Sequence, residues 1–596
     1  MEGPRPDSGL AFSDSTTSPK SQQLAPQTNE QRPIASEVPT RAPALKKSQQ
    51  FTTRTVIMTS ISLTIGTGLF LGTSDDVWEG GPAGVLIGYA IMAFVAFGLV
   101  VSAAEMAAYY PDINGGIVGL IHCYGHPTLA FASGWLSWYH WALTGPSHIA
   151  SAVTALGFYG EHRHNALFIT IFLGSALVLN VVLSPRPFGL AQSAFASIKV
   201  LTIVLLVIFG LVYDLGGVRS QKGVRIGFKY WSRPGPIPHY LGIPGSRGQF
   251  LGFLQITMQA TYSFLGCEFP IYVARLVEDI RDAPGKLTRA ATYVWSCVAA
   301  CYIFTVFVMG MIIPYNDPSL LPKANNPGTT TSAFITVMQR ASVKVLPQII
   351  NAVFIISALS SASVNLFLAT RYLYFMACLG YAPYRFMVPY EYSGVGNSQG
   401  RPAPDVPAAA TAGANHTVEA GVKLIVRHWA LLFSFLTALS AYASTIPNSQ
   451  AQKAFSGMSE AAATAGLLSW TAIMYTYVRW YRVSGANRPE HKVNRKLLKK
   501  LRYNRLQPYL AYSALTICVL VLIFNGWACV ISGFTEGKII IAEEGDDPVR
   551  HTHGNITMMQ EEFPRSTMIS TLIAIYIPIP IFLLFAVGYN LIDRVR

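Results

Sequence analysis

The chain has 596 residues, of which 51% are hydrophobic and 12% are charged, and its mean hydropathy is +0.36. A soluble domain carries roughly 25% charged residues, so a soluble enzyme is excluded as the default. The net charge of +14 reflects 44 basic and 30 acidic residues. Basic residues crowd into a few loops without an aromatic-interleaved groove, which favours a membrane protein over nucleic-acid binding.

The N-terminal arm, residues 1-48, is rich in Ser, Thr, Pro and Gln and contains no long apolar run. This composition predicts a disordered cytoplasmic segment rather than a signal peptide. Its lysines Lys20, Lys46 and Lys47 are candidate sites for trafficking or ubiquitination machinery. The seven cysteines form no CxxC pair, so neither a disulfide framework nor a metal site is expected, and no cofactor is predicted.

Apolar runs of about 20 residues recur across residues 49-592, which predicts an all-α polytopic membrane protein with twelve transmembrane helices. The predicted spans are 55-77, 82-104, 128-156, 166-184, 189-213, 250-276, 291-315, 343-378, 428-446, 461-482, 508-534 and 568-592. The loop after the tenth span is the most basic, which places both termini in the cytoplasm. The long basic loop after the fifth span opposes this orientation, but its length reduces its weight. Asn555, in Asn555-Ile556-Thr557, would then be an extracellular glycosylation candidate.

Two predicted spans contain glycines where a regular helix is expected to break. Span 1 holds Ile65, Gly66, Thr67 and Gly68, and span 6 holds Gly266. Irregular backbone in a bilayer must be buried in protein or line a cavity, so the pair predicts a transporter with its site between two halves. Freed amides would attract a carboxylate and freed carbonyls an ammonium, which indicates an α-amino acid. Close packing of helices is the alternative for each glycine cluster alone.

Four polar side chains within spans are candidates for coupling, gating or specificity. Lys199 suits proton coupling because a buried lysine can gain and lose a proton, and a snorkelling or structural cation is the alternative. Glu268 is either a proton shuttle or gate, or a cap for freed amides. Tyr262 is either an occluding aromatic or plain packing. His148 is either a hydrogen-bonded core histidine or a residue that selects the substrate.

Ordered motifs along residues 45-592 resemble the fungal-type (yeast) amino acid transporter family of the amino acid-polyamine-organocation superfamily. The motifs include Ile65-Gly66-Thr67-Gly68-Leu69-Phe70, Glu105-Met106, Ile226-Gly227-Phe228-Lys229-Tyr230-Trp231, Ser263-Phe264-Leu265-Gly266-Cys267-Glu268 and Gly466-Leu467-Leu468-Ser469-Trp470. Such a family implies a five-plus-five inverted repeat, with repeat one at about 55-213 and repeat two at about 250-482. Two extra helices would occupy about 508-592. Pro146-Ser147-His148 departs from the family's usual Pro-Ala-Glu.

The resemblance also implies roles for individual residues. Ile65, Gly66, Thr67 and Gly68 would bind the substrate carboxylate. Backbone groups of Ser263, Phe264 and Leu265, beside Gly266, would bind the ammonium, with Tyr262 occluding the ligand and Glu268 acting as the gate acid. Lys199 matches the lysine that replaces a sodium ion in proton-coupled relatives.

The sequence thus predicts an amino acid permease, not an enzyme, that imports amino acids by proton symport across the plasma membrane. An amino-acid sensor with little transport and a polyamine or choline permease are the alternatives. A membrane enzyme using His140 or His148 lacks a paired nucleophile or metal set.

Overall fold

The computed structural model describes a subset of the chain. The described residues are 50–110, 113, 115–160, 164–218, 223–240, 243, 245–277, 285–320, 332–387, 428–445, 451–485, 506–527, 538–543, 557–562 and 572–595. The N-terminal arm with its lysines, most of the basic loop after the tenth predicted span, and Asn555 lie outside these ranges. The predictions about them therefore stay predictions.

The described chain is built from α-helices connected by turns. In chain order the helices are α1 (Thr53–Thr64), α2 (Thr73–Tyr109), α3 (Gly116–Leu120), α4 (Pro127–Leu156), α5 (Asn165–Val182), α6 (Pro185–Asp214), α7 (Lys229–Ser232), α8 (Ser246–Phe264), α9 (Phe269–Tyr272), α10 (Gly285–Ile312), α11 (Ala333–Arg340), α12 (Leu346–Cys378), α13 (His428–Ala438), α14 (Ala451–Gly485), α15 (Tyr509–Phe524) and α16 (Pro578–Val595). Each predicted span overlaps one of these helices.

Six helical segments within the described ranges are long and apolar enough to cross a membrane. They are α2, α5, α6, α10, α12 and the segment Leu572–Leu591, which includes most of α16. α4 is also long, at 30 residues, but it carries serines, threonines and histidines along its length. The chain is a multi-pass membrane protein, and twelve crossings with an inverted repeat stay a prediction.

The helices α4 and α2 organise the interior. α4 packs against α12 and α14, and α2 packs against α8 and α10. α2 also lies against α15, where a Cβ added at Gly98 would be 2.6 Å from Ala514 Cβ and 3.3 Å from Leu510 O. Small residues allow helix backbones to approach this closely.

A kink inside α2 separates the end of the first predicted span, residues 73–77, from the second predicted span. Gly81 has φ 65° and ψ 175°, which kinks the helix just before Pro82. The loop after α6 covers this corner, because the Ala83 amide donates a hydrogen bond to Pro236 O at 3.0 Å. The connection between the first two spans is therefore a packed corner rather than a free loop.

One antiparallel hairpin departs from the purely helical prediction. Strand β1 (Lys538–Glu543) pairs with β2 (Thr557–Glu562), with Lys538 opposite Glu562. The predicted span 508-534 covers α15, which ends at Phe524, and its residues 528–534 lie outside the described ranges. Three consecutive isoleucines, 539–541, favour a strand because β-branched residues fit an extended backbone.

Phe51, just before α1, packs against the segment that follows α9 and against α12. The Phe51 amide donates a hydrogen bond to Leu276 O at 2.7 Å. The Phe51 ring is fully buried and makes edge contacts with Phe269 and Phe367, at centroid distances of 6.2 and 6.0 Å. The residues before α1 are thereby joined to the segment that follows α9.

An ion pair fixes the loop between α10 and α11. Arg340 Nη1 and Nη2 donate to the two carboxylate oxygens of Asp317 at 2.5 and 2.7 Å, and Ser319 Oγ donates to Asp317 Oδ1 at 2.6 Å. Burial opposes ionisation of Asp317, but the hydrogen bonds from Arg340 and Ser319 outweigh it and lower the pKa of this carboxyl.

We expect Gly98→Ala to destabilise the protein, because the new methyl group meets the backbone of α15, which cannot move aside easily. The expected loss is about 1–3 kcal/mol, the usual effect of overpacking. Gly84→Ala, in the same helix, is the control because a Cβ there meets no atom within 4 Å. Thermal unfolding of detergent-purified variants would measure the difference. Equal unfolding temperatures for the two variants would contradict the close α2–α15 contact.

Candidate functional site

The first helix break lies between α1 and a π-helical turn at Gly68–Gly72. α1 ends at Thr64, and Ile65 has φ −78° and ψ 82°, outside the helical range. Side chains donate hydrogen bonds to the carbonyls at this break: Tyr302 Oη to Thr64 O at 3.0 Å, and Ser357 Oγ to Ile65 O at 3.3 Å. The helix is thus interrupted where the sequence predicts, and these two carbonyls are satisfied inside the protein.

The second break lies at the end of α8 and faces the first. α8 ends at Phe264, Leu265 is extended, and Gly266 has φ 110°, a conformation that favours glycine. A Cβ at Gly266 would lie 2.8 Å from the side chain of Leu63 in α1. Ser60 Oγ, also in α1, donates a hydrogen bond to Gly266 O at 2.9 Å. The two broken helices are therefore in direct contact.

Glu268 connects the second break to α14. Its carboxylate accepts hydrogen bonds from the Gly266 amide at 3.0 Å, from Trp470 Nε1 at 2.9 Å and from Tyr272 Oη at 3.3 Å. The residue is buried. Glu268 thus caps a backbone amide freed at the break, and its gating role stays a prediction.

Lys199 is buried between α1, α6 and α12. Its side chain is 1% exposed. Lys199 Nζ donates to Ser62 O at 2.5 Å and to Ser361 Oγ at 2.9 Å, and both partners are uncharged. The lysine therefore binds the last turn of α1 rather than extending to the protein surface as a snorkelling side chain would.

A small cavity lies between the two breaks and α4. It leaves about 10 Å³ for the centre of a water-sized sphere, roughly the space of one water. The lining residues are Leu63, Thr64, Gly66, Gly68, Trp141, Thr144, His148, Tyr262, Ser263, Leu265, Tyr302 and Asn365. We call this space the small cavity.

The small cavity brings together most of the predicted binding residues. Gly66, Gly68, Tyr262, Ser263 and Leu265 line it, together with His148. The remaining predicted residues are Ile65, Thr67, Phe264 and Gly266, which belong to the breaks without lining the cavity. Their binding roles stay predictions.

His148 takes part in a polar cluster at the first break. Its Nδ1 is 2.9 Å from Thr67 Oγ1 and 3.4 Å from Tyr262 Oη, and Tyr262 Oη is 2.8 Å from Ser147 Oγ. A Cβ at Gly66 would lie 2.8 Å from His148 Cε1. His148 therefore lines the small cavity beside Gly66, and its role in substrate specificity stays a prediction.

Asn365 lines the small cavity and was not among the residues predicted from the sequence. It is completely buried in α12. Asn365 Nδ2 donates to Ser361 O at 2.9 Å, whereas its Oδ1 accepts no hydrogen bond from any described residue. Ser357, Ser361 and Asn365 are spaced four residues apart and share a helix face. A stripe of polar residues along one face of an apolar span could have identified Asn365 from the sequence.

A comparison with models of protein families shows which family the chain belongs to. A family model described as "Amino acid permease" matches residues 55–404 and 423–596. The chain belongs to the amino acid permease family. This membership confirms the resemblance inferred from the sequence motifs, and it identifies the protein as a transporter of amino acids rather than an enzyme.

Individual relatives of the permease cover most of its length. It is 27% identical to an uncharacterized amino-acid permease of Schizosaccharomyces pombe, over 84% of this chain and 87% of the relative. It is 30% identical to the proline-specific permease of Emericella nidulans, over 80% and 79%. It is 27% identical to the lysine-specific permease of Saccharomyces cerevisiae, over 80% and 70%.

We expect Asn365→Ala to raise the KM of the permease about tenfold, because the free Asn365 oxygen would no longer accept a hydrogen bond from the substrate. Asn351→Ala is the control: Asn351 is buried in the same helix, but its Nδ2 donates to Ala155 O outside the cavity. The KM of each variant would be measured from uptake kinetics, normalised to the amount of protein in the membrane. An unchanged KM in Asn365→Ala would show that Asn365 does not bind the substrate.

Proposed function

We propose that the permease is a secondary active importer that carries an amino acid together with a proton by alternating access. The observation that supports this most directly is the pair of helix breaks, which are in contact through Ser60 and Gly266 and jointly line the small cavity. A site made of backbone groups suits the carboxylate and ammonium that all α-amino acids share.

In the proposed complex, the substrate lies between the two breaks. Residues 65–68 bind its carboxylate, and backbone groups of residues 263–265 bind its ammonium. Tyr262 closes over the ligand, and the His148 ring beside Gly66 limits the space available. Because the small cavity has room for only about one water, substrate entry requires the helices that line it to separate.

Lys199 is the proposed proton-coupling residue. Its contact with Ser62 O lies two residues before the end of α1, so a movement of α1 would break this contact. Loss of that contact changes how strongly the site holds a proton, which links protonation to opening. Glu268 contacts both α14 and the second break, a position suited to a gate acid.

The membrane potential supplies enough energy for accumulation. One charge crossing 100 mV is worth about 2.3 kcal/mol, which corresponds to roughly fiftyfold accumulation before a pH gradient is counted. Proton symport would therefore concentrate even a neutral amino acid.

The proposed topology has twelve spans in a five-plus-five inverted repeat with two extra C-terminal helices, and both termini in the cytoplasm of a plasma-membrane protein. The overlap of every predicted span with a described helix supports this arrangement. The names of the relatives include a proline-specific and a lysine-specific permease, so the side chain of the substrate is not assigned by similarity.

The test is uptake of labelled amino acids by transporter-deficient cells at about pH 5 and about pH 7.5, since a pH–rate profile reports the essential acid or base. We expect faster uptake at the lower pH. Lys199→Ala should abolish accumulation above the external concentration while the variant still binds substrate. Lys344→Ala is the control, because Lys344 is exposed at the start of α12.

Two results would contradict the proposal. Binding without accumulation in the wild-type protein would indicate a sensor instead of a transporter. Equal pH dependence and equal accumulation in the wild type and in Lys199→Ala would show that Lys199 does not couple transport to protons.

A further inference from the structure

Asp76 is a buried acid of α2 that takes no part in the transport steps proposed above. Its Oδ2 accepts a hydrogen bond from Tyr89 Oη at 2.7 Å, and both residues belong to α2. They are 13 residues apart, which in a straight helix is a rise of about 20 Å. The kink at Gly81 lies between them, and the change of direction there lets the carboxylate reach the tyrosine.

Tyr89 connects Asp76 to the second helix break. Its Oη is 3.1 Å from Ser263 Oγ, and both side chains are buried. Ser263 lies in the last turn of α8, just before the break, and it lines the small cavity beside Gly68. A continuous chain of hydrogen bonds therefore runs from Asp76 through Tyr89 to the wall of the small cavity.

The direction of this chain follows from the number of hydrogens. A hydroxyl group carries one hydrogen and two lone pairs. Tyr89 gives its hydrogen to Asp76, so in the contact with Ser263 it accepts and Ser263 Oγ donates. Tyr302, which also lines the small cavity, gives its hydrogen to Thr64 O at 3.0 Å, so it does not donate to Ser263 either. Ser263 Oγ has then used its hydrogen, and only its lone pairs are left for a ligand.

An acceptor at this position distinguishes the two ends of an amino acid. An ammonium group carries hydrogen-bond donors and no acceptor, whereas a carboxylate carries acceptors only. Ser263 Oγ therefore attracts the ammonium and disfavours the carboxylate. Without Asp76, the Tyr89 hydrogen would be free to turn to Ser263, and the Ser263 hydrogen would then point toward the ligand.

We propose that Asp76 is a positioning residue for substrate recognition, which acts through Tyr89 to keep Ser263 Oγ as a hydrogen-bond acceptor for the α-ammonium of the amino acid. Asp76 itself does not touch the substrate in this arrangement. The inference rests on the proposed function, because it takes the ammonium to lie at the second break. It adds one side-chain acceptor to the backbone groups of residues 263–265.

The test measures uptake kinetics for the standard amino acid that the wild type takes up fastest. We expect Asp76→Ala and Tyr89→Phe each to raise the KM about tenfold, the effect of losing a hydrogen bond to a charged group, and to leave the maximal rate nearly unchanged. Because Asp76 acts through Tyr89, the double variant should have the KM of Tyr89→Phe alone. Asp76→Asn should keep nearly the wild-type KM, because its amide oxygen still accepts from Tyr89.

Tyr477→Phe is the matched control. Tyr477 is a buried tyrosine of α14 whose Oη donates to the carboxylate of Glu105 at 2.6 Å, and neither residue lines the small cavity. The substitution removes the same kind of hydrogen bond elsewhere in the helix bundle, so the KM should not change.

A second readout separates recognition of the ammonium from a general disturbance of the site. The inhibitor is the same amino acid with hydrogen in place of its α-amino group, such as isocaproate for leucine. Its inhibition constant should be unchanged in Tyr89→Phe, because it has no ammonium to meet Ser263, whereas the KM for the amino acid rises. A disturbance of the fold would raise both constants together.

The outcomes separate this inference from the proposed function. If Asp76→Ala does not reach the membrane, Tyr89→Phe and Ser263→Ala decide the question, since each should raise the KM alone and the pair should not add. A wild-type KM in Tyr89→Phe, additive effects in the double variants or a parallel rise in both constants would overturn the role of Asp76 while leaving amino acid import intact. Failure of the wild type to accumulate any standard amino acid would overturn the proposed import, on which the inference rests.

Discussion

The interior of this permease depends on how backbone groups released by two broken helices are satisfied. An amide or carbonyl without a partner costs several kcal/mol in a hydrocarbon environment. Near the first break, the carbonyls of residues 62, 64 and 65 accept hydrogen bonds from Lys199, Tyr302 and Ser357. At the second break, the Gly266 amide donates to Glu268. The three partners at the first break come from helices distant in sequence, so this break and the bundle around it stabilise each other.

The charges at the breaks have complementary signs. The ammonium of Lys199 meets a carbonyl oxygen of α1, and the carboxylate of Glu268 meets an amide of the α8 break. Each charge faces the backbone pole of opposite sign, which stabilises it in the absence of an ion pair between the two. Lys199 and Glu268 belong to different helical segments, so a relative movement of those segments would change the surroundings of both side chains.

Local sequence patterns predicted the parts of the molecule that local physics determines. The apolar runs located the helices, and the glycines at positions 66 and 266 located the two breaks. The partners across the bundle could not be predicted in the same way, because the contact of Trp470 with Glu268 joins residues 202 positions apart. Asn365 and the hairpin at 538–562 had local signals, a polar stripe and an isoleucine run, that the search for apolar helices passed over.

Lys199 differs from a diffusible coupling ion in one respect: its charge is attached to α6 by a covalent stem. A sodium ion at such a place can exchange with the solution and be replaced by another metal, whereas only the proton of a lysine can leave. A carrier built on this residue would be indifferent to the alkali metals in its surroundings. The carrier would also keep the positive charge of the lysine in place when no substrate is bound. Its empty form would therefore contain no vacant ion site between the helices.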